Sequence, residues 1–233
     1  MSIQTILFDL DGTLLPMDQD VFVQSYFKRL AMKLAPLGYE SQKLIDAIWK
    51  GTGAMIQNGG ACTNEQAFWH VFAKLFGEGC LKDIPVFDDY YHNEFQSVAA
   101  DCSHDPRAAQ CIAALKQKGY RLALATNPIF PAIATESRMR WAGLNKDDFE
   151  LYTTYENSSY CKPNPDYYRA ILHQLNVQPE ECLMVGNDVS DDMVARDLGM
   201  QVFLLTDCLI NKNEVDISQF PHGSFEELMA FIG

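Results

Sequence analysis

Four short apolar segments constrain the possible folds of this 233-residue chain more than any other feature of its sequence. Each has the length of a strand that is buried on both faces, and helical patterns separate them. The segments are TILFDL (5–10), YRLALAT (120–126), CLMVGND (182–188) and QVFLLT (201–206), with FELYTT (149–154) as a possible fifth. Because the connection between two parallel strands is usually a helix, this alternation predicts right-handed βαβ units and an α/β fold with a parallel sheet.

Capping residues mark where helices between these strands begin. Asp105 and Pro106 are suited to the N-cap and first position of a helix, and Asn164 and Pro165 repeat this pattern further along. The segment 190–199 begins with acidic residues and ends in glycine, which predicts a third helix. Helices at these places are the connections that a parallel sheet needs.

The stretch 17–100 contains no strand signal and has the apolar spacing of helices. Thr63 and Gln66 form a possible capping box within it. A crossover helix needs only about a dozen residues, so this stretch is much more than a connection. We therefore predict a catalytic core, residues 1–16 and 101–233, and an inserted helical cap, residues 17–100.

Two features of the predicted cap could bear on a substrate. Its aromatic residues are expected to form the core of a helical bundle, with one or two of them facing a cleft. These residues are Phe22, Phe27, Trp49, Phe68, Trp69, Phe72 and Phe76. The glycine-rich segment 50–60 is expected to be either a loop that touches the substrate or a plain turn between helices.

Charge and cysteine usage limit the partners and the location of the protein. A net charge of −13, without a lysine and arginine cluster that could neutralise several phosphates, argues against nucleic acid as a partner. The seven cysteines are scattered without a CxxC pair, as expected for reduced thiols. No apolar run reaches the roughly 18 residues that span a bilayer, and the start lacks a signal-peptide pattern. We therefore expect a cytoplasmic protein with no membrane partner.

Polar side chains stand where the predicted strands end. They are Asp9 and Asp11 after the first segment, Thr126 and Asn127 after the second, Asn187 and Asp188 after the third, and Lys162 just before the helix that begins at Pro165. In an open parallel sheet, ligands bind beyond the carboxyl ends of the strands, so these groups should converge at one edge. Carboxylates, a hydroxyl, an amide and an ammonium group together suit a phosphoryl group beside a hard divalent cation.

Magnesium is the cation that these carboxylates favour. It takes oxygen ligands, usually one or two carboxylates with waters and phosphate, and it would relieve the repulsion among Asp9, Asp11 and Asp188. Asp9 could attack phosphorus as a nucleophile and form an aspartyl phosphate. Asp11 could protonate the leaving group and then activate water.

The other polar groups could hold the phosphate. Lys162 and the hydroxyl of Thr126 could bind phosphate oxygens. Gly12 and Thr13 could let backbone amides of the loop approach the same phosphate. Asn127 could contact the phosphate or merely shape the turn before the next proline.

Four segments, in this order, resemble the four sequence motifs of the haloacid dehalogenase superfamily. They are FDLDGTL (8–14), LATN (124–127), KPNPDYY (162–168) and VGNDVSDDMVA (185–195). The stretch after the first motif is where that superfamily carries its helical C1 cap. The resemblance implies a Rossmann-like core, with helices on both faces of the sheet, and magnesium-dependent phosphoryl transfer through an aspartyl phosphate.

The resemblance also implies a role for each matched residue. Asp9 matches the nucleophile and Asp11 the general acid and base. Thr126 matches the hydroxyl of the second motif, Lys162 the lysine of the third and Asp188 the metal ligand of the fourth. In that superfamily the backbone carbonyl at the position of Asp11 also binds the metal.

The fourth motif departs from its common form at the metal ligand. It commonly reads Gly-Asp, whereas Gly186 is followed here by Asn187 and only then by Asp188. We favour Asp188 as the ligand, because a neutral amide binds magnesium less well, and Asn187 is the alternative. Asp192 would then orient a metal-bound water or Lys162.

These observations predict a magnesium-dependent phosphatase that acts on a small phosphorylated metabolite. Phosphonatase, phosphomutase and dehalogenase activities stay open within the superfamily, although Asp11 argues against dehalogenation, which does without a second acid. A phosphonatase of this kind uses a cap lysine, and no lysine in 17–100 has a diagnostic context. Outside the superfamily's enzymes, the alternative is a non-enzymatic phospho-acceptor or a regulatory protein that binds metal or phosphate.

Overall fold

A six-stranded parallel sheet forms the centre of the computed structural model, which describes residues 2–233. Its strands are β1 (Thr5–Phe8), β2 (Arg121–Leu124), β3 (Leu151–Tyr152), β4 (Cys182–Gly186), β5 (Gln201–Leu205) and β6 (His222–Gly223). Their order across the sheet is β3-β2-β1-β4-β5-β6, and every neighbouring pair is parallel. The predicted α/β fold is therefore confirmed.

β1 lies near the middle of the sheet, between β2 and β4. Thr5 is aligned with Arg121 on one side and with Cys182 on the other. The four residues of β1 are fully buried, as expected for a strand of a parallel sheet that is covered on both faces. Because parallel neighbours in register end together, the carboxyl ends of β1, β2 and β4 lie side by side.

Eight α-helices surround or extend the sheet in the described chain. They are α1 (Gln19–Leu34), α2 (Ser41–Ile56), α3 (Asn64–Phe76), α4 (Ile84–His92), α5 (Pro106–Gln117), α6 (Ala132–Trp141), α7 (Pro165–Leu175) and α8 (Phe225–Ile232). Ile6 and Phe8 pack on one face of the sheet with residues of α5, α6 and α8, while Leu7 packs on the other face with residues of α7. None of the helices in residues 2–233 combines the length and the apolar composition needed to cross a membrane.

The helices begin where the capping residues in the sequence predicted. Asp105 accepts a hydrogen bond from the backbone of Arg107 at 2.9 Å, and α5 starts at the following proline. Asn164 accepts one from the backbone of Asp166 at 2.9 Å in front of α7. The capping box predicted for residues 63–66 is present at the start of α3.

Two local predictions were wrong, and one strand was not predicted. The segment 190–199 contains a 3-10 helix, Met193–Leu198, instead of an α-helix, because the turn before it is organised by side-chain hydrogen bonds to the backbone. Residues 50–56 lie in α2 and not in a loop: Gly51 is buried against α3, and that packing outweighs the poor helix propensity of glycine. The strand β6 was not predicted, because two residues leave no periodic pattern.

The division into a core (1–16 and 101–233) and a cap (17–100) stays a proposal, with two supporting observations. Buried residues of α1–α4 form an apolar cluster distinct from the two clusters on the sheet. The two crossings between the proposed domains run side by side: Met17 forms an antiparallel bridge with Cys102, and Ser103 donates its backbone N–H to the carbonyl of Pro16 at 2.9 Å.

Asn64, the first residue of α3, joins the cap to the loops of the core. Its side chain is fully buried and donates to the carbonyls of Pro128 at 3.1 Å and Tyr160 at 3.3 Å. Its amide oxygen accepts from Asn58 at 2.9 Å, and its backbone N–H donates to Ser158 at 2.8 Å. The start of α3 is therefore attached to the two loops that follow β2 and β3.

We expect Asn64→Ala to lower the free energy of unfolding by about 1–3 kcal/mol, because it leaves buried backbone carbonyls without a donor. Urea denaturation of the variant measures this change. The matched control is Asn213→Ala, at an exposed asparagine, which should change the free energy of unfolding by less than about 0.5 kcal/mol. Equal midpoints for wild type and the Asn64 variant would contradict the structural role of these hydrogen bonds.

Candidate active site

Asp9 lies one residue beyond the end of β1 and is 7% exposed. Its backbone N–H donates to the carbonyl of Val185 at 2.9 Å, which extends the pairing of β1 with β4 by one residue. One carboxylate oxygen, Oδ1, accepts a hydrogen bond from Nζ of Lys162 at 2.8 Å. The other, Oδ2, lies 3.1 Å from the hydroxyl of Thr13. Oδ1 is therefore held by an ion pair, while Oδ2 shares the single proton of the Thr13 hydroxyl with a second acceptor, Asn187.

Lys162 links two buried carboxylates. Its Nζ also donates to Oδ1 of Asp192 at 2.7 Å, and Oδ2 of Asp192 accepts the backbone N–H of Asp188 at 2.9 Å. Burial by itself lowers the pKa of an ammonium group, but the carboxylates of Asp192 and Asp9 hold the pKa of Lys162 well above its usual value. The residue at 186 must be glycine here, because a Cβ atom would overlap the carboxylate of Asp192. Lys162 is thus a permanent cation beside Asp9.

Asn187 and Asp188 differ in what their side chains bind. Asn187 is 1% exposed; its amide oxygen accepts from the hydroxyl of Thr13 at 2.9 Å, and its amide nitrogen donates to the carbonyl of Cys208 at 2.7 Å. Asp188 is only partly buried, and its Oδ1 accepts the backbone N–H groups of Ser190 and Asp191. Both ends of the Asn187 amide are therefore engaged within the protein, whereas Asp188 presents a carboxylate at the mouth of the site.

The turn after β1 uses the groups that the sequence assigned to phosphate binding. Gly12 has a φ of +85°, and its N–H donates to the carbonyl of Leu15 at 2.8 Å. A Cβ atom at this position would also overlap the amide of Asn187, so glycine is required. The N–H of Thr13 donates to the carbonyl of Leu10 at 3.1 Å. The N–H groups of Gly12 and Thr13 are thus used within the turn, and the phosphate contact expected of this loop stays a prediction.

Thr126 and Asn127 follow β2. The carbonyl of Thr126 accepts hydrogen bonds from the hydroxyls of Thr153 at 2.6 Å and Tyr167 at 2.9 Å. These two bonds hold the backbone while the Thr126 side chain lines the cavity of the site. Asn127 lines the same cavity, and its Oδ1 is buried without a hydrogen-bond partner in residues 2–233. An unsatisfied buried acceptor of this kind favours contact with a ligand or water over a mere turn-shaping role.

Sequence reasoning missed Arg138, a fully buried residue of α6. Its guanidinium forms an ion pair with Oδ2 of Asp11 and lies over the ring of Phe130, 4.5 Å from the ring centroid. Burial raises the pKa of Asp11 even though Arg138 opposes that rise. Oδ1 of Asp11 is buried and has no partner in the described chain. An arginine in a helix gives no sequence signal for this contact, since it depends on how α6 packs against the turn after β1.

A single cavity of about 320 Å³ brings these groups together. Of the predicted site residues, those that line it are Asp9, Asp11, Thr126, Asn127, Lys162, Asn187, Asp188 and Asp192. Gly12 and Thr13 do not line it. Its opposite wall consists of side chains from α1–α4, so the cavity lies between the sheet edge and the proposed cap. The convergence expected at the carboxyl edge of the sheet is therefore present, while the role of each residue stays a proposal.

The charge of the cavity wall fits a divalent cation. Six aspartates and two lysines line it. No group of three or more acidic, histidine or cysteine side chains in residues 2–233 is arranged as a preformed metal cage. Magnesium does not require such a cage, because it is usually held by one or two carboxylates with waters and substrate phosphate. The donor set and the excess of negative charge thus suit magnesium with a phosphoryl ligand.

Comparisons with known proteins agree with this arrangement. The family model of the haloacid dehalogenase-like hydrolases matches residues 3–199. A phosphoglycolate phosphatase of Vibrio vulnificus (strain YJ016) is 30% identical over 205 residues, which cover 88% of this chain and 84% of that protein. The pyrophosphatase PpaX of Bacillus velezensis is 21% identical over 197 residues, which cover 84% of this chain and 80% of that protein.

Solved structures share the fold at low identity. A HAD phosphatase from Thermococcus onnurineus superposes with a TM-score of 0.60 at 21% identity, covering 99% of this chain and 98% of that one. What the two structures share is a Rossmann-like α/β fold. The chain belongs to the haloacid dehalogenase-like hydrolase family, and the resemblance of its four motifs is thereby confirmed.

Proposed function

We propose that the protein is a magnesium-dependent phosphatase that hydrolyses a small phosphorylated metabolite through an aspartyl phosphate on Asp9. The observation that carries this proposal is the contact between Asp9 and the buried, cationic Lys162, in one cavity with Thr126, Asp11 and Asp188. The names of relatives support phosphate chemistry, since they include a phosphoglycolate phosphatase and a pyrophosphatase.

In the first step, Oδ2 of Asp9 attacks phosphorus. Oδ2 is the oxygen that carries no ion pair, because Oδ1 is bound by Lys162. Lys162 and the hydroxyl of Thr126 bind phosphate oxygens and stabilise the charge that develops on them. The bond from Asp9 to phosphorus forms while the bond from phosphorus to the leaving oxygen breaks.

Asp11 supplies the proton to the leaving oxygen and later removes one from the attacking water. Burial raises the pKa of Asp11, which favours the protonated carboxyl that the first task needs, and the contact with Arg138 holds this carboxyl group in one orientation. Water then attacks the phosphorus of the aspartyl phosphate, which releases phosphate and restores Asp9. Both steps use the same carboxyl group, so its position matters twice in each cycle.

Asp9, Asp188 and the backbone carbonyl of Asp11 are the groups that would hold magnesium. When bound, the ion supplies positive charge that neutralises the phosphate and reduces repulsion between it and the carboxylates. Asp192 would position two groups of the site: its Oδ1 binds Lys162, and its Oδ2 accepts the backbone N–H of Asp188. Asn187 would act through Thr13, whose hydroxyl lies between it and Asp9.

The rival activities receive less support from the geometry. A phosphonatase would need a lysine of the cap at the cavity, and in the described chain no lysine of 17–100 lines it. Nothing on the cavity wall favours phosphomutase or dehalogenase chemistry. A non-enzymatic phospho-acceptor would form the aspartyl phosphate without turnover, which separates it from a phosphatase by experiment.

We expect hydrolysis of phosphorylated compounds to require magnesium, because the excess of carboxylates otherwise repels the substrate. Activity should be lost in EDTA and restored by added Mg²⁺, as measured by phosphate release from acetyl phosphate. Borohydride added during turnover should reduce an aspartyl phosphate, so that mass spectrometry finds homoserine at position 9. Full activity in EDTA would contradict the metal requirement, and trapping without phosphate release would favour the phospho-acceptor.

A further inference from the structure

The cavity wall opposite the catalytic carboxylates consists largely of apolar and aromatic side chains from the cap, with Gln19, Thr52 and Asp88 as its polar members. The apolar and aromatic members include Phe22, Phe27, Ile48, Phe68, Trp69 and Phe87. Each of these six is at most 8% exposed. A ligand that fills the cavity would therefore replace water against hydrophobic surface, which favours apolar groups.

Packing among the rings keeps this wall in place. The rings of Trp69 and Phe87 meet edge to face with centroids 5.1 Å apart, and Phe22 meets Phe130 at 6.2 Å. Phe130 in turn is covered from behind by the guanidinium of Arg138. The wall is a preformed surface and does not depend on a loop that a ligand would have to order.

The cap contributes no positive charge to the cavity. Within residues 2–233, no lysine, arginine or histidine of the cap lines it. The two lining cations belong to the core: Lys162 is bound to Asp9 and Asp192, and Lys212 is exposed. The charged cap residue on the wall is an aspartate, Asp88, near the rim. A second anionic group on a substrate would thus find no cationic partner at the cap end.

We propose that the leaving group of the substrate is uncharged, apolar and of the size of a ring. This proposal rests on the proposed phosphatase function and specifies its substrate class. An unpaired carboxylate or second phosphate placed against these rings would lose its hydration without an opposite charge to compensate for it. A volume of about 320 Å³ is sufficient for a phosphoryl group and a ring, given that a cavity of about 150 Å³ holds benzene.

This substrate class differs from what the names of the relatives state. Phosphoglycolate carries a carboxylate beside its phosphate, and pyrophosphate carries a second phosphate. Identities of 30% and 21% leave room for such a difference in the cavity wall. A cavity wall without cations disfavours substrates that carry a second negative charge. Specificity of this kind does not require additional contacts with the preferred substrate.

Benzyl phosphate and 4-carboxybenzyl phosphate test the proposal, because they share shape and leaving-group chemistry and differ by one carboxylate. We expect kcat/KM of the wild-type enzyme with Mg²⁺ to be on the order of 10²-fold higher for benzyl phosphate. Phosphoglycolate should also be hydrolysed more slowly than benzyl phosphate. Acetyl phosphate has a leaving group too small to reach the cap. Its hydrolysis therefore measures the chemistry at the carboxyl edge of the sheet without contacts to the cap.

Adding a cation to the wall should relax this selectivity. Thr52 lies on α2 and lines the cavity, so Thr52→Lys would supply a partner for the carboxylate of 4-carboxybenzyl phosphate. We expect the ratio between the two benzyl esters to fall at least about tenfold. Met32→Lys adds the same charge at a side chain that is 69% exposed on α1 and lies outside the cavity, and it should leave the ratio unchanged.

The outcomes separate this proposal from the proposed function. If the enzyme hydrolyses acetyl phosphate but does not prefer benzyl phosphate to its carboxylated analogue, the substrate class is overturned and the phosphatase function stands. If phosphoglycolate is hydrolysed faster than benzyl phosphate, the substrate class is likewise overturned and the phosphatase function stands. If none of the four compounds is hydrolysed with Mg²⁺, the phosphatase function itself fails, and the substrate class fails with it.

Discussion

Asp9→Asn is expected to lower kcat on every phosphate ester by on the order of 10³-fold or more. An amide has nearly the shape of a carboxylate, but it is a poor nucleophile and cannot form an acyl phosphate. Lys162 keeps its second partner, Asp192, in the variant, so the structure of the site should survive. Steady-state phosphate release measures the loss, and circular dichroism checks the fold.

The matched control for Asp9 is Asp197→Asn, which removes one carboxylate from an exposed position outside the cavity. This variant should keep the activity of the wild type. If Asp9→Asn retained more than about one tenth of the wild-type kcat, Asp9 would not be the nucleophile, and another carboxylate of the cavity would have to carry the phosphoryl group.

Arg138→Met should have the second largest effect, and the size of that effect should depend on the leaving group. Without the guanidinium, nothing holds the Asp11 carboxyl against α6, so proton transfer to the leaving oxygen suffers. General acid catalysis by a correctly positioned group typically raises the reaction rate by about 10²–10⁴-fold. We therefore expect kcat/KM for an alkyl ester such as benzyl phosphate to fall by about 10²-fold. For 4-nitrophenyl phosphate, whose leaving group departs without protonation, the fall should be less than about tenfold.

This dependence on the leaving group distinguishes a positioning role of Arg138 from a purely structural one. General damage to the fold would lower kcat/KM by the same factor for both esters, and that outcome would contradict the proposal. Arg138→Lys keeps a positive charge and should restore part of the activity on benzyl phosphate. Arg140→Met, at an exposed arginine two residues further along α6, is the control and should behave as the wild type.

The fold and the position of the site could be predicted from local patterns because parallel topology converts sequence order into spatial proximity. Asp9, Thr126 and Asp188 are far apart in the chain, yet each follows a strand of the same sheet, and the strands end at one edge. Lys162 arrives there because it precedes the N-cap of α7 by two residues. None of these placements requires knowledge of side-chain packing.

The turn after β1 shows where local patterns stop being informative. Gly12 and Thr13 were predicted to let backbone amides of the loop approach a phosphate, but the sequence does not reveal that their own N–H groups close the turn on Leu15 and Leu10. The choice between Asn187 and Asp188 was likewise open in the sequence. This choice depends on which of the two side chains forms hydrogen bonds within the protein, as that of Asn187 does with Thr13 and Cys208.

The sequence alone determined the class of this protein: its alternating strands and helices, its family, and the carboxylates and lysine that meet at the sheet edge. The strands and helices follow from periodicity and capping, which act over a few residues, and the family follows from the resemblance of the four motifs. Tertiary structure decided the ion pair of Arg138 with Asp11, the internal use of Asn187 and the apolar wall without cations opposite the catalytic edge. Those features arise from contacts between elements distant in sequence, because burial and the partners available to a charge exist only once the helices have packed.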